Sequence, residues 1–148
     1  MNVVLSLGSN LYPRDKRIRA AIEWLGSIME DMIVSEIYET PELHGLGAPY
    51  LNAVLAGVTH LTPDSLNKRL KLYEIEAGRD ENARRNGIVP VDIDLVMAGN
   101  EELEILRPRD FSHSFFRIGY DEILCTLKTS PDTAHLYGLE FSGAIVEE

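Results

Sequence analysis

The stretch VPVDIDLVMAG, Val89 to Gly99, is an apolar strand pattern interrupted by two acids. Asp is a poor strand former, so Asp92 and Asp94 cost stability where they stand. Side chains alternate faces along a strand, so residues at i and i+2 point the same way. The two carboxylates therefore share one face, roughly 7 Å apart along the strand at the usual rise per residue. Val91 and Ile93 face the opposite side. Two readings follow from this pattern. It is either a half-buried strand with an acidic solvent face, or a strand that offers paired carboxylates to a divalent metal. Mg²⁺ takes oxygen ligands and is commonly held by one or two carboxylates together with substrate phosphates.

Working back toward the N-terminus, Asp80 to Pro90 reads as a polar, Arg-containing loop. Before it, Thr62-Pro63-Asp64 is a helix start, with Thr as N-cap and Pro at the first helical position. That helix runs to about Gly78, with Leu66, Leu70, Tyr73 and Ala77 on one face. Tyr50 to Leu61 reads as a strand, and His44 to Pro49 as a loop with two glycines and a proline. Met32 to Glu39 alternates and is rich in branched side chains, so it reads as another strand, stopped by Thr40-Pro41. Ile18, Ala21, Ile22, Leu25, Ile28 and Met29 recur at helical spacing between Asp15 and Met29, with Trp24 packing beside the stripe. Val3 to Leu7 is the first strand. Gly8-Ser9-Asn10 after it reads as a structural turn, since it lacks the pattern of a phosphate-binding loop.

The order is β-α-β-β-α-β, which is the split βαβ pattern of an α+β, ferredoxin-like sandwich. Its antiparallel sheet carries helices on one face and leaves the other for a ligand or for extra elements. Beyond Gly99 come a segment around Leu106-Arg107-Pro108, a helix from about Ser114 to Leu127, and a tail ending in a solvated Glu147-Glu148. This C-terminal helical extension completes a single domain, residues 1–148.

Composition narrows the function classes. Hydrophobic residues make up 45% and charged residues 26%, as in ordinary globular chains. No run approaches the ~20 apolar residues of a membrane helix, and the N-terminus lacks the pattern of a signal peptide. One cysteine, Cys125, excludes an internal disulfide and fits a reducing cytoplasm. It is expected to pack inside its helix. A net charge of −10 argues against nucleic acid. Yet Arg79, Arg84, Arg85, Arg107, Arg109 and Arg117 bracket the Asp92/Asp94 strand, and Arg suits bidentate phosphate contacts. His44, His60, His113 and His135 show no metal-ligand spacing. Small-molecule substrates are the expected partners, with the chain a monomer or weak homodimer.

Five motifs in order then point further: LGSNL near the N-terminus, YETPEL after the second strand, PYLNAV opening the third, EAGR closing the second helix, and VDIDLVMAGN. Together, over about residues 3 to 123, they resemble 6-hydroxymethyl-7,8-dihydropterin pyrophosphokinases. The resemblance implies a folate-pathway enzyme that transfers pyrophosphate from ATP to the pterin hydroxymethyl group. It implies two Mg²⁺ ions on Asp92 and Asp94, and so favours the metal reading of that pair. Thr40, Pro41, Leu43, Tyr50, Asn52 and Phe115 match the pterin-binding positions. Arg79 and Arg85 match phosphate-holding, catalytic positions. Arg109 and His113 stand where the family places other nucleotide-side residues.

The chain also departs from the family pattern. The family reads R-W-G-P-R before the acidic strand, whereas this chain reads Arg85-Asn86-Gly87-Ile88-Val89. The family Pro-His is Pro108-Arg109, and the Arg before the stacking aromatic is His113. A neutral Val89 cannot face phosphate as a cation does. A diverged pterin-binding module with weak or no transfer, or an enzyme with another phosphoryl donor, is the alternative expectation.

Overall fold

A computed structural model describes residues 1–45 and 47–128. The tail, with His135 and Glu147-Glu148, lies outside the described residues. In chain order the elements are β1 (Asn2–Ser9), α1 (Arg14–Leu25), β2 (Glu30–Val34), β3 (Tyr38–Thr40), β4 (Tyr50–Val58), α2 (Pro63–Glu76) and α3 (Glu81–Arg85). They continue as β5 (Asp92–Gly99), β6 (Glu104–Ile105), α4 (Pro108–Ser112) and α5 (Ser114–Lys128). The sheet runs β2-β4-β1-β5-β6, with β3 also paired to β4, and its pairings among the described residues are all antiparallel. The α+β class, the βαββαβ core and the C-terminal helical extension are all present.

Alternation divides the core in two. Val3, Leu5, Leu7, Ala53, Leu55, Ile93 and Leu95 pack against Ile18, Ala21 and Leu25 of α1 and Leu66 and Leu70 of α2. Trp24 stacks on Tyr73, ring centroids 4.4 Å apart, and so joins the two helices. On the other face Val4, Val54, Ala56, Val96 and Met97 meet Phe116, Tyr120, Ile123 and Leu127 of α5. Each large aliphatic side chain so buried contributes about 1.5–3 kcal/mol. Gly119 lets α5 sit this close. A Cβ there would lie 2.7 Å from Val54 Cγ2 and 2.9 Å from Ser35 Oγ.

Several local expectations are corrected. The reading of one strand over Met32 to Glu39 fails, because the ladder breaks at Ser35 to Ile37. There Ser35 Oγ accepts the Val54 N–H at 2.9 Å in place of a backbone partner. α1 stops at Leu25 rather than Met29, its last carbonyls taken up by the Gly26 and Ser27 amides. The polar loop Asp80 to Pro90 contains a short helix, α3, because the Asp80 carboxylate caps the Ala83 N–H at 2.8 Å. Gly8 and Ser9 continue β1 instead of turning. Cys125 is exposed, not packed. The buried residues of α5 are Phe116, Gly119, Tyr120, Ile123 and Leu127, and at 100° per residue Cys125 falls off that stripe. The start of α2 is as expected, with Thr62 Oγ1 accepting the Ser65 N–H at 3.2 Å and Pro63 in the first turn.

Candidate active site

Strand register builds the site. Gly8 lies opposite Asn52 on one side and Asp92 on the other, and Ser6 lies between Val54 and Asp94 in the next row. These positions share the sheet face that α5 covers farther along, where Val4, Val54 and Met97 lie beneath Phe116 and Tyr120. Toward the Gly8 end the face is left open. A pocket of about 150 Å³ forms there, lined by Ser6, Gly8, Thr40, Pro41, Glu42, Leu43, Tyr50, Asn52, Asp92 and Phe115. Gly8 supplies no side chain and so leaves the floor flat between an amide and a carboxylate. A Cβ there would stand 3.4 Å from Asn52 Oδ1 and from the Tyr50 ring.

The pocket walls are pinned from behind. Asn52, buried, donates through Nδ2 to Thr40 Oγ1 at 2.6 Å and so fixes β3 against β4. Its Oδ1 stays on the Gly8 side, available as an acceptor. Tyr38 donates its hydroxyl to the Phe115 carbonyl, fixing the start of α5. Burial pushes the Tyr38 pKa up to about 12, so the hydroxyl remains a neutral donor. Phe115 lies against the His113 ring, centroids 4.6 Å apart. Burial, and then the Asp92 and Glu42 charges, raise the Tyr50 pKa. All six residues matched to a pterin site therefore line one pocket.

Asp92 sits in that pocket wall, and Asp94 lies beside it with a side-chain hydrogen bond between them. Burial, and then the Asp92 charge, push Asp94 up to about 7. Burial also opposes the Asp92 charge. The hydrogen bond from Asp94 and the Arg79 guanidinium outweigh it and hold Asp92 below the ordinary carboxylate value. The pair thus shares a proton near neutral pH, as adjacent carboxylates do. Among the described residues no group of three or more His, Cys, Asp or Glu forms a metal cage. Two adjacent carboxylates at a pocket wall do fit Mg²⁺, which retains waters and takes further oxygens from phosphates.

Three cations reach this pair. Arg79 Nη1 lies 2.7 Å from Asp92 Oδ1, Lys71 Nζ 3.4 Å from Asp94 Oδ1, and Arg107 Nη1 3.8 Å from Asp94 Oδ1. Of these only Arg79 was expected from the sequence as a site residue. Arg85 instead pairs with Glu81 at 3.3 Å on the exposed side of α3. Arg109 is exposed on α4. His113 Nδ1 accepts the Phe115 N–H at 3.3 Å.

Sequence reasoning missed Lys71 and, behind it, Glu74 altogether. The Glu74 side chain is only 3% exposed, and it lies 3.0 Å from Arg79 Nη1 and 3.2 Å from Lys71 Nζ. It also accepts the Ile93 N–H at 2.7 Å. β6 pairs only with Met97 and Ala98, so among the described residues the N-terminal half of β5 meets no strand on that side. Glu74 takes the amide between the two aspartates in place of a strand, since a buried N–H must find an acceptor. Burial, first, raises the Glu74 pKa, against the Ile93 N–H and the two cations. A buried acid beside Tyr73 on the packed face of α2 was the available signal.

Asn10 performs the matching task before β5. Its Nδ2 donates to Gly87 O at 2.8 Å and its Oδ1 accepts the Val89 N–H at 2.6 Å. Of the Gly8-Ser9-Asn10 stretch read as a turn, only Asn10 lies beyond β1, and it braces the approach to β5.

The family model for 7,8-dihydro-6-hydroxymethylpterin-pyrophosphokinase matches residues 4–124. A folate synthesis bifunctional protein of Arabidopsis thaliana is 36% identical over 107 residues, 68% of this chain but 21% of that protein. One from Chlamydia trachomatis is 39% identical over 106 residues, covering 67% of this chain and 23% of that protein. The chain thus spans about a quarter or less of the length of these two curated relatives. A 2-amino-4-hydroxy-6-hydroxymethyldihydropteridine pyrophosphokinase of Porphyromonas gingivalis is 32% identical over 147 residues, 90% of this chain and 98% of that protein.

Proposed function

The chain belongs to the 7,8-dihydro-6-hydroxymethylpterin-pyrophosphokinase family, and from that premise we propose that it transfers pyrophosphate from ATP to 6-hydroxymethyl-7,8-dihydropterin in folate biosynthesis. The observation that carries this reading is one of placement. Asp92 belongs both to the carboxylate pair and to the wall of the pocket that Thr40, Tyr50, Asn52 and Phe115 line. An acceptor held in the pocket has its reacting end beside the acids.

In this reading the pterin ring lies against Phe115, with its polar edge at Asn52, whose oxygen accepts and whose amide is held by Thr40. The hydroxymethyl oxygen attacks the β-phosphorus of ATP. The bond between that phosphorus and the oxygen bridging to the α-phosphorus breaks, AMP leaves, and the hydroxyl proton is released. Asp92 and Asp94 would hold Mg²⁺, which when bound neutralises phosphate charge and acidifies the acceptor hydroxyl. Arg79, fixed by Glu74, and Lys71 and Arg107 beside Asp94 supply cationic charge as the phosphates arrive. Positioning and charge neutralisation are the main demands of phosphoryl-type transfer. Arg85, Arg109 and His113 serve the nucleotide from farther out. The expected compartment is the cytoplasm. Among the described residues no helix is long and apolar enough to cross a membrane.

The test is to incubate the protein with Mg²⁺, ATP and the hydroxymethyl dihydropterin, and to measure AMP together with the pyrophosphorylated pterin. Pterin-dependent AMP supports the proposal. One observation favours a second reading, a pterin-binding module. Arg85 and Arg109 do not join the three cations at the acid pair, and Val89 replaces a further one. Tight pterin binding with no pyrophosphorylated pterin and no nucleoside monophosphate from any nucleoside triphosphate would decide for that module.

A further inference from the structure

Arg14, the first residue of α1, is a cation only 9% exposed, and the chemistry described so far does not use it. Its Nη1 donates to Pro49 O at 3.1 Å and pairs with Glu39 Oε2 at 2.9 Å. Its guanidinium also lies over the Tyr12 ring, 4.4 Å from the centroid. Burying a guanidinium is costly unless it is paired and hydrogen-bonded, so these contacts explain how it is tolerated there. They do not explain where it points.

Its two partners bracket one segment. Glu39 precedes Thr40 at the end of β3, and Pro49 precedes Tyr50 at the start of β4; Thr40 and Tyr50 are themselves a cross-strand pair. The connector between them supplies Pro41, Glu42 and Leu43 to the pocket wall, with Thr40 and Tyr50 at its two ends. Inside the connector, the His44 N–H donates to the Glu42 carboxylate and the Gly45 N–H to Glu42 O, both at 2.9 Å. Those bonds tighten a local turn. One guanidinium nitrogen on α1 contacts both ends.

We propose that Arg14 is a positioning residue for the pterin, latching the β3–β4 connector so that Pro41 to Leu43 stand as a wall of the pocket. The proposal rests on the pterin reading given above. It names a residue that touches neither substrate and acts through Glu39 and Pro49. Its effect therefore falls on pterin binding and leaves the nucleotide alone.

The test compares Arg14→Met, which keeps the apolar stem and removes both contacts, with Arg14→Lys and with Glu39→Gln on the half-exposed partner. Amide hydrogen exchange over residues 41–50 is read without ligand, and pterin and ATP affinities are read by calorimetry. Arg14→Met should speed exchange in the connector and weaken pterin binding about tenfold, the scale of one charge-assisted hydrogen bond. ATP affinity should stay within about twofold. Arg14→Lys should recover part of the loss, and Glu39→Gln should lose severalfold. If Arg14→Met does not fold, Glu39→Gln and Arg14→Lys decide by the same two readouts. Unchanged connector exchange in a variant, with normal wild-type pterin binding, would overturn the latch alone. Equal losses for pterin and ATP, with Glu39→Gln silent, would reduce Arg14 to a structural residue. A wild type without pterin affinity would overturn the pterin assignment itself, whatever the connector does.

Discussion

Replacing Glu74 by Gln should destabilise the protein and loosen its nucleotide side together. Gln keeps the shape but has one oxygen and one amide where Glu has two acceptors. If that oxygen keeps the Ile93 N–H, now bonded to Oε2 at 2.7 Å, the amide group takes the place of Oε1 and must face Arg79, itself a donor. Losing one partner of a fully buried ion pair costs about 3–5 kcal/mol. Here Arg79 is 25% and Lys71 51% exposed, so both can turn toward water or toward the aspartates. Relief of the burial that raises the Glu74 pKa offsets a further part. A net loss of about 2 kcal/mol follows, roughly 4–8 °C in Tm for a chain of this size. Calorimetric unfolding of the metal-free protein reads that shift. Steady-state kinetics should show a rise in the KM for ATP as Arg79 loses its brace, with pterin affinity unchanged. A Glu74→Gln variant melting within about 1 °C of wild type, with the same KM for ATP, would refute the idea that Glu74 organises this side of the site.

Asp92→Ala combined with Asp94→Ala should leave far-UV circular dichroism intact and abolish AMP formation, by at least about a thousandfold if these residues hold the metal; retention of full activity would remove the metal assignment. Lys71→Met and Arg107→Met should each raise the KM for ATP about three- to tenfold, with pterin titrations unchanged, because each loses one cation beside Asp94. Asp94 is raised to about 7 when folded, from an ordinary 3.8, so between those values the folded state binds more protons than the unfolded one. Stability should therefore fall as pH rises from about 4 through 7, and Asp94→Asn should flatten the difference between urea midpoints at about pH 5 and pH 8; a wild type more stable at the higher pH would contradict this. Gly119→Ala should cost about 1–3 kcal/mol by overpacking against Val54 and Ser35, read as a lower urea midpoint.

The parts of this molecule that a sequence reveals are those set by local periodicity. The alternation of Val3 to Leu7, the stripe from Ile18 to Leu25 and the Thr62-Pro63 start each fix an element without reference to the rest. The Asp92/Asp94 pair was legible for the same reason, since i and i+2 share a face whatever the tertiary context. What escaped notice depends on pairing across the chain. β2 and β3 separate because Ser35 bonds back to Val54, nineteen residues away. Val4 pairs with Met97 but Leu5 with Leu95, so Val96 is an extra residue in β5. That bulge returns Met97 to the α5 side, and no pattern in VMAG announces it. Glu74 and Lys71 look like ordinary surface charges of a polar helix until the free edge of β5 is laid against them.

The arginines teach the same lesson about function. Six lie between Arg79 and Arg117, and alignment to a motif singled out Arg79, Arg85 and Arg109 among them. In the fold, what matters is which element ends near the acids. Arg79 leaves the C-terminal end of α2, and Arg107 stands at the N-cap of α4 beside the Val96 carbonyl that its own N–H approaches at 3.4 Å. Arg85 points off a five-residue helix held to the body through buried Ala83. The chain carries a net charge of −10, and yet Lys71, Arg79 and Arg107 surround two carboxylates that share a proton near neutral pH. A nucleotide approaching this acidic surface would meet a local reversal of sign, and three cations, two from α2 and the segment after it and one from the start of α4, can each turn from carboxylate to phosphate. Local neutralisation of this kind would let the proposed nucleotide site tolerate the loss of a motif cation at Val89, because the field at the phosphates depends on summed charge and distance rather than on one position in a motif.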